Sequence, residues 1–241
     1  MPITYRVAGS VATITIERPE RRNALNAAAL DELDAAIGRC RADDARALVL
    51  TGAGGHFCAG ADLTELEDVE FTQHLAGVLE RLSTLPITTV AAISGSCMGL
   101  GMQLAIACDV RVVADDARFA VPVAKLGLMV DYWTLDRVRR FWGEGAARLM
   151  ALTATVLTAD DAWRLGFAQA RGDLAAATEL AASAVGLAPL SQAGTKIGFD
   201  CDGPLEVARY DAAFARAWAS EDLREGRAAF NERRPPKFTG H

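Results

Sequence analysis

The chain has 241 residues, with 25 basic and 31 acidic side chains for a net charge of −6. Its hydrophobic fraction of 51% supports a sizeable buried core and excludes a disordered chain. The acidic balance argues against broad nucleic-acid or anionic-membrane binding, while leaving room for a local basic pocket that holds one phosphorylated ligand.

The opening MPITYRVAGSVATITIERPE carries no apolar run behind a basic segment, so no signal peptide is expected. No stretch approaches the ~18 apolar residues of a membrane helix, so no membrane insertion is expected. The five cysteines (Cys40, Cys58, Cys97, Cys108, Cys201) are scattered without a C-x-x-C pair, and three histidines make a zinc site a poor reading. A reduced, cytoplasmic protein with no metal follows.

Residues 11–17 alternate with period two and predict a half-buried strand. Asn26 is a candidate N-cap for a helix over 27–40, with Leu30, Leu33 and Ile37 at helical spacing. A buried strand over 47–51 stops at Gly52, Gly54 and Gly55, and an amphipathic helix follows over 71–83. A strand over 89–93, a small-residue helix over 99–108 and a strand over 110–113 complete the alternation. That rhythm predicts parallel β crossovers with helices packed outside. Beyond about residue 155 strands are expected to vanish in favour of alanine-rich helices. The division expected is a core over 1–187 and a helical lobe over 188–241, with a locally basic stretch at 233–238.

Two glycine-rich loops each follow a strand and lead into a helix. The first is Thr51 to Leu63, the second Gly99-Leu-Gly-Met-Gln-Leu104. Neither is a dinucleotide fingerprint, because Phe57 and Leu104 stand where the third glycine should be. Together they can offer two backbone N–H donors to one developing oxyanion. Ser94, Ser96 and Cys97 lie beside glycines, but the spacing is not G-x-S-x-G, and His74 is the only helix-borne base for a nucleophile. Cys58 and Cys97 read better as small packing residues.

The pair Phe57-Cys-Ala-Gly-Ala-Asp-Leu63 and Ser94-Gly-Ser-Cys-Met-Gly-Leu-Gly-Met-Gln-Leu-Ala-Ile-Ala-Cys-Asp109 closely resembles the two signature segments of the enoyl-CoA hydratase/isomerase (crotonase) superfamily. Arg18-Pro-Glu-Arg-Arg-Asn-Ala-Leu-Asn26, Arg118-Phe-Ala-Val-Pro-Val-Ala-Lys-Leu-Gly-Leu128 and Ala229-Phe-Asn-Glu-Arg-Arg-Pro235 resemble further family segments in the same order. The resemblance implies an α/β fold, a crotonase-like spiral of ββα units with a helical C-terminal oligomerisation region. It implies a homotrimer or a dimer of trimers, and coenzyme A present only as part of an acyl-CoA thioester. The family's oxyanion-hole N–H groups carry over onto Ala61 and Leu100. Arg22, Ala24, Ala59, Asp62 and Leu63 would cradle the coenzyme, and Phe230 and Arg233 of a neighbouring subunit would close over it. Asp62 also reads as a helix N-cap, and the arginines as solvated surface.

Family hydratases hold water between two glutamates, whose positions here are Gln103 and Val123. An amide orients water but cannot exchange protons with it, and valine does neither. Asp131 matches the functional aspartate of dienoyl-CoA isomerases and haloaroyl-CoA dehalogenases of the superfamily; it equally reads as a buried acceptor or a subunit contact. His74 lies on the helix that carries the dehalogenase histidine, a residue or two out of phase. The Val130-Asp-Tyr-Trp133 and Pro235-Pro-Lys-Phe238 segments resemble an actinobacterial branch, which implies acyl-CoA binding in lipid metabolism, without hydration, and a lipid-synthesis partner protein. An enolate-chemistry enzyme using Asp131 and a non-catalytic trimeric scaffold are the other readings. Leu63, Leu66, Phe71, Met129 and Trp133 are expected to shape the acyl pocket.

Overall fold

The computed structural model describes residues 1–64, 69–201 and 203–241; the expected pocket residue Leu66 lies outside them. A hairpin of β1 (Ile3–Ala8) and β2 (Val11–Ile16) turns at Gly9 and leads into α1 (Ala27–Ala42). Asn26 caps α1 as expected, its side chain accepting from the Ala29 N–H at 3.0 Å. β3 (Ala47–Gly52), α2 (Val69–Ser83), β4 (Thr88–Ile93), β5 (Ser96–Met98), α3 (Leu100–Ala107) and β6 (Val110–Val113) follow.

The main sheet has the order β1-β2-β3-β4-β6-β9, where β9 is Ala170–Arg171. Every pairing beyond the first hairpin is parallel. Its central strands β3 and β4 are buried on both faces because both faces are covered. Leu48, Leu50, Ala91 and Ile93 enter the main core with α1, α2 and α3. The alternate residues Ala47, Val49, Val90 and Ala92 pack against Ala177 and Ala181 of α7 (Leu174–Val185). That two-sided burial explains the uninterrupted apolar run of β3.

A small second sheet joins β5 to β7 (Arg118–Ala120) in parallel, and β7 to β8 (Leu157–Thr158) antiparallel. Strands therefore do continue beyond residue 155, contrary to the sequence expectation. β8 and β9 are two residues each, too short to carry any periodicity. A 3₁₀ turn (Pro122–Leu126) connects β7 to α4 (Tyr132–Trp142) and α5 (Glu144–Thr153), and α6 (Ala159–Arg164) follows β8. The stack Phe119–Trp142–Phe167 locks this half of the core, with ring centroids 4.2–5.2 Å apart.

α8 (Pro189–Phe199), α9 (Pro204–Trp218) and α10 (Glu221–Glu232) complete the chain. α8 is fastened to the sheet by Lys196, whose Nζ donates to the Asp109 carboxylate at 2.8 Å and to the Ile87 carbonyl at 3.1 Å. The segment after α10 straps back over it: the N–H groups of Thr239 and Gly240 donate to the buried Asp222 carboxylate. No single described helix is long and apolar enough to cross a membrane.

Candidate active site

The two glycine-rich loops come together through backbone pairing. Cys58 and Cys97 form a parallel bridge, with the Cys58 N–H donating to the Ser96 carbonyl at 2.9 Å and the Met98 N–H to the Cys58 carbonyl at 3.0 Å. Both thiols are fully buried, and burial raises their pKa, to about 12 for Cys58. They pack, as expected, and are not nucleophiles. A side chain at Gly101 would meet the Cys58 carbonyl at 2.1 Å, so only glycine lets the first turn of α3 approach the first loop this closely.

That approach brings Ala61 and Leu100 to one cleft. Leu25 donates to the Gly60 carbonyl at 2.9 Å and accepts from the Asp62 N–H at 2.8 Å, so the N–H of Ala61, its bridge partner, points away from Leu25. Leu100 is the first residue of α3, where an N–H has no intrahelical acceptor. Ala61 and Leu100 both line a cleft of about 220 Å³. The positive end of the α3 dipole faces the same cleft.

α3 is buried along its whole length, so its far end must be satisfied from inside the protein. Arg111, 1% exposed, does this: Nη1 donates to the Cys108 carbonyl at 3.0 Å and Nε to the Phe167 carbonyl at 2.8 Å. Its guanidinium stacks on Phe141 at 4.3 Å. Burial lowers its pKa to about 10, which keeps it charged at neutral pH. Arg137 adds a bond from Nη1 to the Ile106 carbonyl at 3.2 Å. Two cations at the C-terminus thus fix the helix whose N-terminus faces the cleft.

Gln103 lines the cleft and is nearly buried, and its Nε2 donates to the Thr134 hydroxyl at 2.8 Å. Val123 is on the same lining, half-buried and without a polar atom. Asp131 is exposed at the cleft, not buried, and is the N-cap of α4, accepting from the Thr134 N–H at 3.0 Å. Thr134 therefore meets both Gln103 and Asp131. The sequence reading missed Thr134; an acidic residue three positions before it, at the start of an amphipathic helix, was the available signal.

The expected coenzyme-cradle residues also converge. The Ala59 N–H donates to the Arg22 carbonyl at 3.0 Å, and Arg22 is exposed in the left-handed region at φ 49°. Arg18, named only as part of a motif, ties the group together: it donates to the Ala24 carbonyl and pairs with Asp62 at 3.0 Å. The Asp62 carboxyl is held below the usual carboxylate range by the Thr64 hydroxyl at 2.7 Å and by Arg18. It accepts from the Thr64 N–H two residues on, and the helix it was expected to cap lies outside the described residues. The fully buried Asn23 accepts from the Arg18 N–H and donates to the Ala53 and His56 carbonyls, pinning the first loop. Ala59 and Leu63 line the cleft itself.

Four of the residues named from the sequence lie off this cleft. His74 faces Asp31 of α1, with Nδ1 3.5 Å from its carboxylate, and does not line the cleft with Asp131. Trp133 lies under the Arg137 guanidinium at 4.8 Å and packs on the core instead of the cleft, whereas Phe71 and Met129 do line it. Phe230, 85% exposed, and Arg233, which ends α10, do not reach the cleft of their own chain. A larger groove of about 660 Å³ runs beside Phe230 between α8 and α10, but it contains none of the loop residues. Residues of both glycine-rich loops line the smaller cleft.

The enoyl-CoA hydratase/isomerase family profile matches residues 6–241. The chain belongs to this family. It is 43% identical over 236 residues, 97% of each chain, to echA6 of Mycobacterium tuberculosis, described as a "probable enoyl-CoA hydratase". It is 34% identical to the short-chain-enoyl-CoA hydratase of Clostridium acetobutylicum, over 94% of this chain and 93% of that one. Its fold superposes on the crystal structure of enoyl-CoA hydratase EchA1 from Mycobacterium marinum with a TM-score of 0.87, at 33% identity and with 100% of both chains covered. The α/β crotonase fold and the resemblance to a mycobacterial branch of the superfamily are thus both as the sequence motifs implied.

Proposed function

We propose that this protein binds fatty acyl- and enoyl-CoA thioesters in the cleft and does not perform ordinary hydration of the 2-enoyl double bond. The thioester oxygen accepts from the N–H groups of Ala61 and Leu100, which stabilise negative charge there as an enolate develops. Hydration also needs a group that takes a proton from water and one that delivers a proton to carbon. The observation that carries the reading is the Gln103–Thr134 bond: an amide committed to a neighbouring hydroxyl stands on the cleft wall with Val123, and neither exchanges protons at neutral pH. Each missing acid or base removes about 10²–10⁴ in rate.

In this reading Arg22, Ala24, Ala59, Asp62 and Leu63 receive the coenzyme end, and Phe230 and Arg233 close over it from a neighbouring subunit of a trimer or hexamer. The protein works in the cytoplasm in lipid metabolism, handing its thioester to a lipid-synthesis partner. The placement of the Asp131 carboxylate on the cleft favours one second reading, proton transfer between carbons of an unsaturated chain. Calorimetric titration with acyl-CoA, alongside assays of hydration and of double-bond migration, tests both. Tight binding without turnover is expected. Steady hydration overturns the proposal, and migration lost in Asp131→Asn with binding retained favours the second reading.

A further inference from the structure

Two cavities share one lining residue. The acyl cleft, about 220 Å³, and a second cavity of about 240 Å³ both have Val130 in their walls. The second lies between Val121, α4 and α5: Val121 and Val138 are almost wholly buried at its base, Ala151 is half-buried, and Leu135 and Leu152 are exposed at its mouth. Charge is confined to α4 and α5 side chains such as Arg148, which pairs with Glu144. Hydrocarbon fits such a chamber, because it gives up no hydrogen bonds on entering.

Val130 is also held in place. It directly precedes Asp131, the N-cap of α4, and packs half-buried against the main core. Val130 and Leu135 occupy the N′ and N4 positions of α4, those of a hydrophobic staple, and both line the second cavity. A side chain anchored this way is a fixed partition between the two spaces.

We infer that Val130 is a specificity-determining residue: it ends the space available to the acyl tail, and the cavity behind it takes up the methylenes of a longer chain once the partition is shortened. The inference rests on the acyl-CoA reading of the cleft. Each methylene buried is worth about fourfold in affinity, so the partition is visible as the chain length at which affinity stops rising.

The test is a set of dissociation constants for straight-chain saturated acyl-CoAs, from butanoyl to hexadecanoyl, measured on the full chain and on three variants. Val130→Ala should move the plateau to chains about two methylenes longer, matching the two methyl groups removed. Val130→Leu, which keeps the wall apolar and remains informative if the alanine variant fails to fold, should move it to shorter chains. Ala151→Phe added to Val130→Ala fills the rear chamber and should restore the original plateau. An unchanged plateau in both single variants overturns the inference and leaves the acyl-CoA reading standing. A plateau extension that survives Ala151→Phe overturns it too, because the tail then goes elsewhere. If the parent protein binds no acyl-CoA, the underlying reading falls and the inference with it.

Discussion

The amide of Gln103 donates to the hydroxyl of Thr134 at 2.8 Å, across 31 residues of sequence, from the central helix to the first turn of α4. This contact fixes the amide by its nitrogen, leaving Oε1 without a protein partner among the described residues. The group can still accept a hydrogen bond from a ligand or a water, but it cannot carry a proton.

Replacing Gln103 by Glu should therefore gain activity. A carboxylate at this position accepts from the Thr134 hydroxyl and supplies one of the two missing proton-transfer groups. Hydration of a short 2-enoyl-CoA, followed as loss of the conjugated thioester absorbance, should rise by about 10²-fold or more in Gln103→Glu. It should rise again when Val123→Glu is added. No gain in the double variant would mean that something besides the two glutamates is missing.

Thr134→Val should cost about 1–3 kcal/mol, the penalty for leaving a nearly buried amide without its partner. Thr134→Ser should retain most of that stability, because it keeps the hydroxyl. Thermal or urea unfolding measures both. Equal losses in the two variants would assign the effect to packing instead of the hydrogen bond.

Glycine to alanine inside a helix ordinarily stabilises by up to about 1 kcal/mol. Gly101→Ala should do the reverse, since the added carbon meets the Cys58 carbonyl at 2.1 Å. The clash pushes α3 from the first loop and separates the N–H groups of Ala61 and Leu100. A lower melting temperature together with lost acyl-CoA affinity is expected. Retained affinity would mean that the two loops do not act as a pair.

The C-terminal strap should loosen in acid. Arg234 and the Lys237 N–H hold the Glu225 carboxyl down to a pKa of about 2. A carboxyl depressed on folding contributes stability that is complete above its unfolded value of ~4.3. That contribution is lost as pH falls through the folded value of about 2. The protection factor of the Lys237 amide, the intrinsic exchange rate divided by the observed rate at the same pH, should fall across that window, and Glu225→Gln should show reduced protection already at neutral pH. A protection factor unchanged from neutral pH to about pH 2 would contradict the pairing.

Much of this was legible in the sequence, for identifiable reasons. Buried strands and amphipathic helices of several turns carry their own periodicity, so α1, β3 and β4 stand out. β8 and β9 do not, being only bonded pairs that their neighbours create. The two glycine-rich loops are local motifs and could be read directly. The Gln103–Thr134 contact and the role of Arg111 could not, because they join residues 31 and 56 positions apart in the chain. His74 shows the limit of counting along a helix. Each residue turns a side chain by ~100°, so an error of one or two positions separates a cleft-facing residue from one that meets Asp31 on α1.

The most direct measurement is mass spectrometry of the thioesters after incubation of the purified protein in heavy water with saturated, 2-enoyl and 3-enoyl CoA esters. The account predicts thioesters that co-elute with the protein at unchanged mass. Deuterium uptake without added water would assign proton transfer to the cleft, with Asp131 the first group to replace. Addition of water across the 2-enoyl bond would contradict the central claim drawn from Gln103 and Val123.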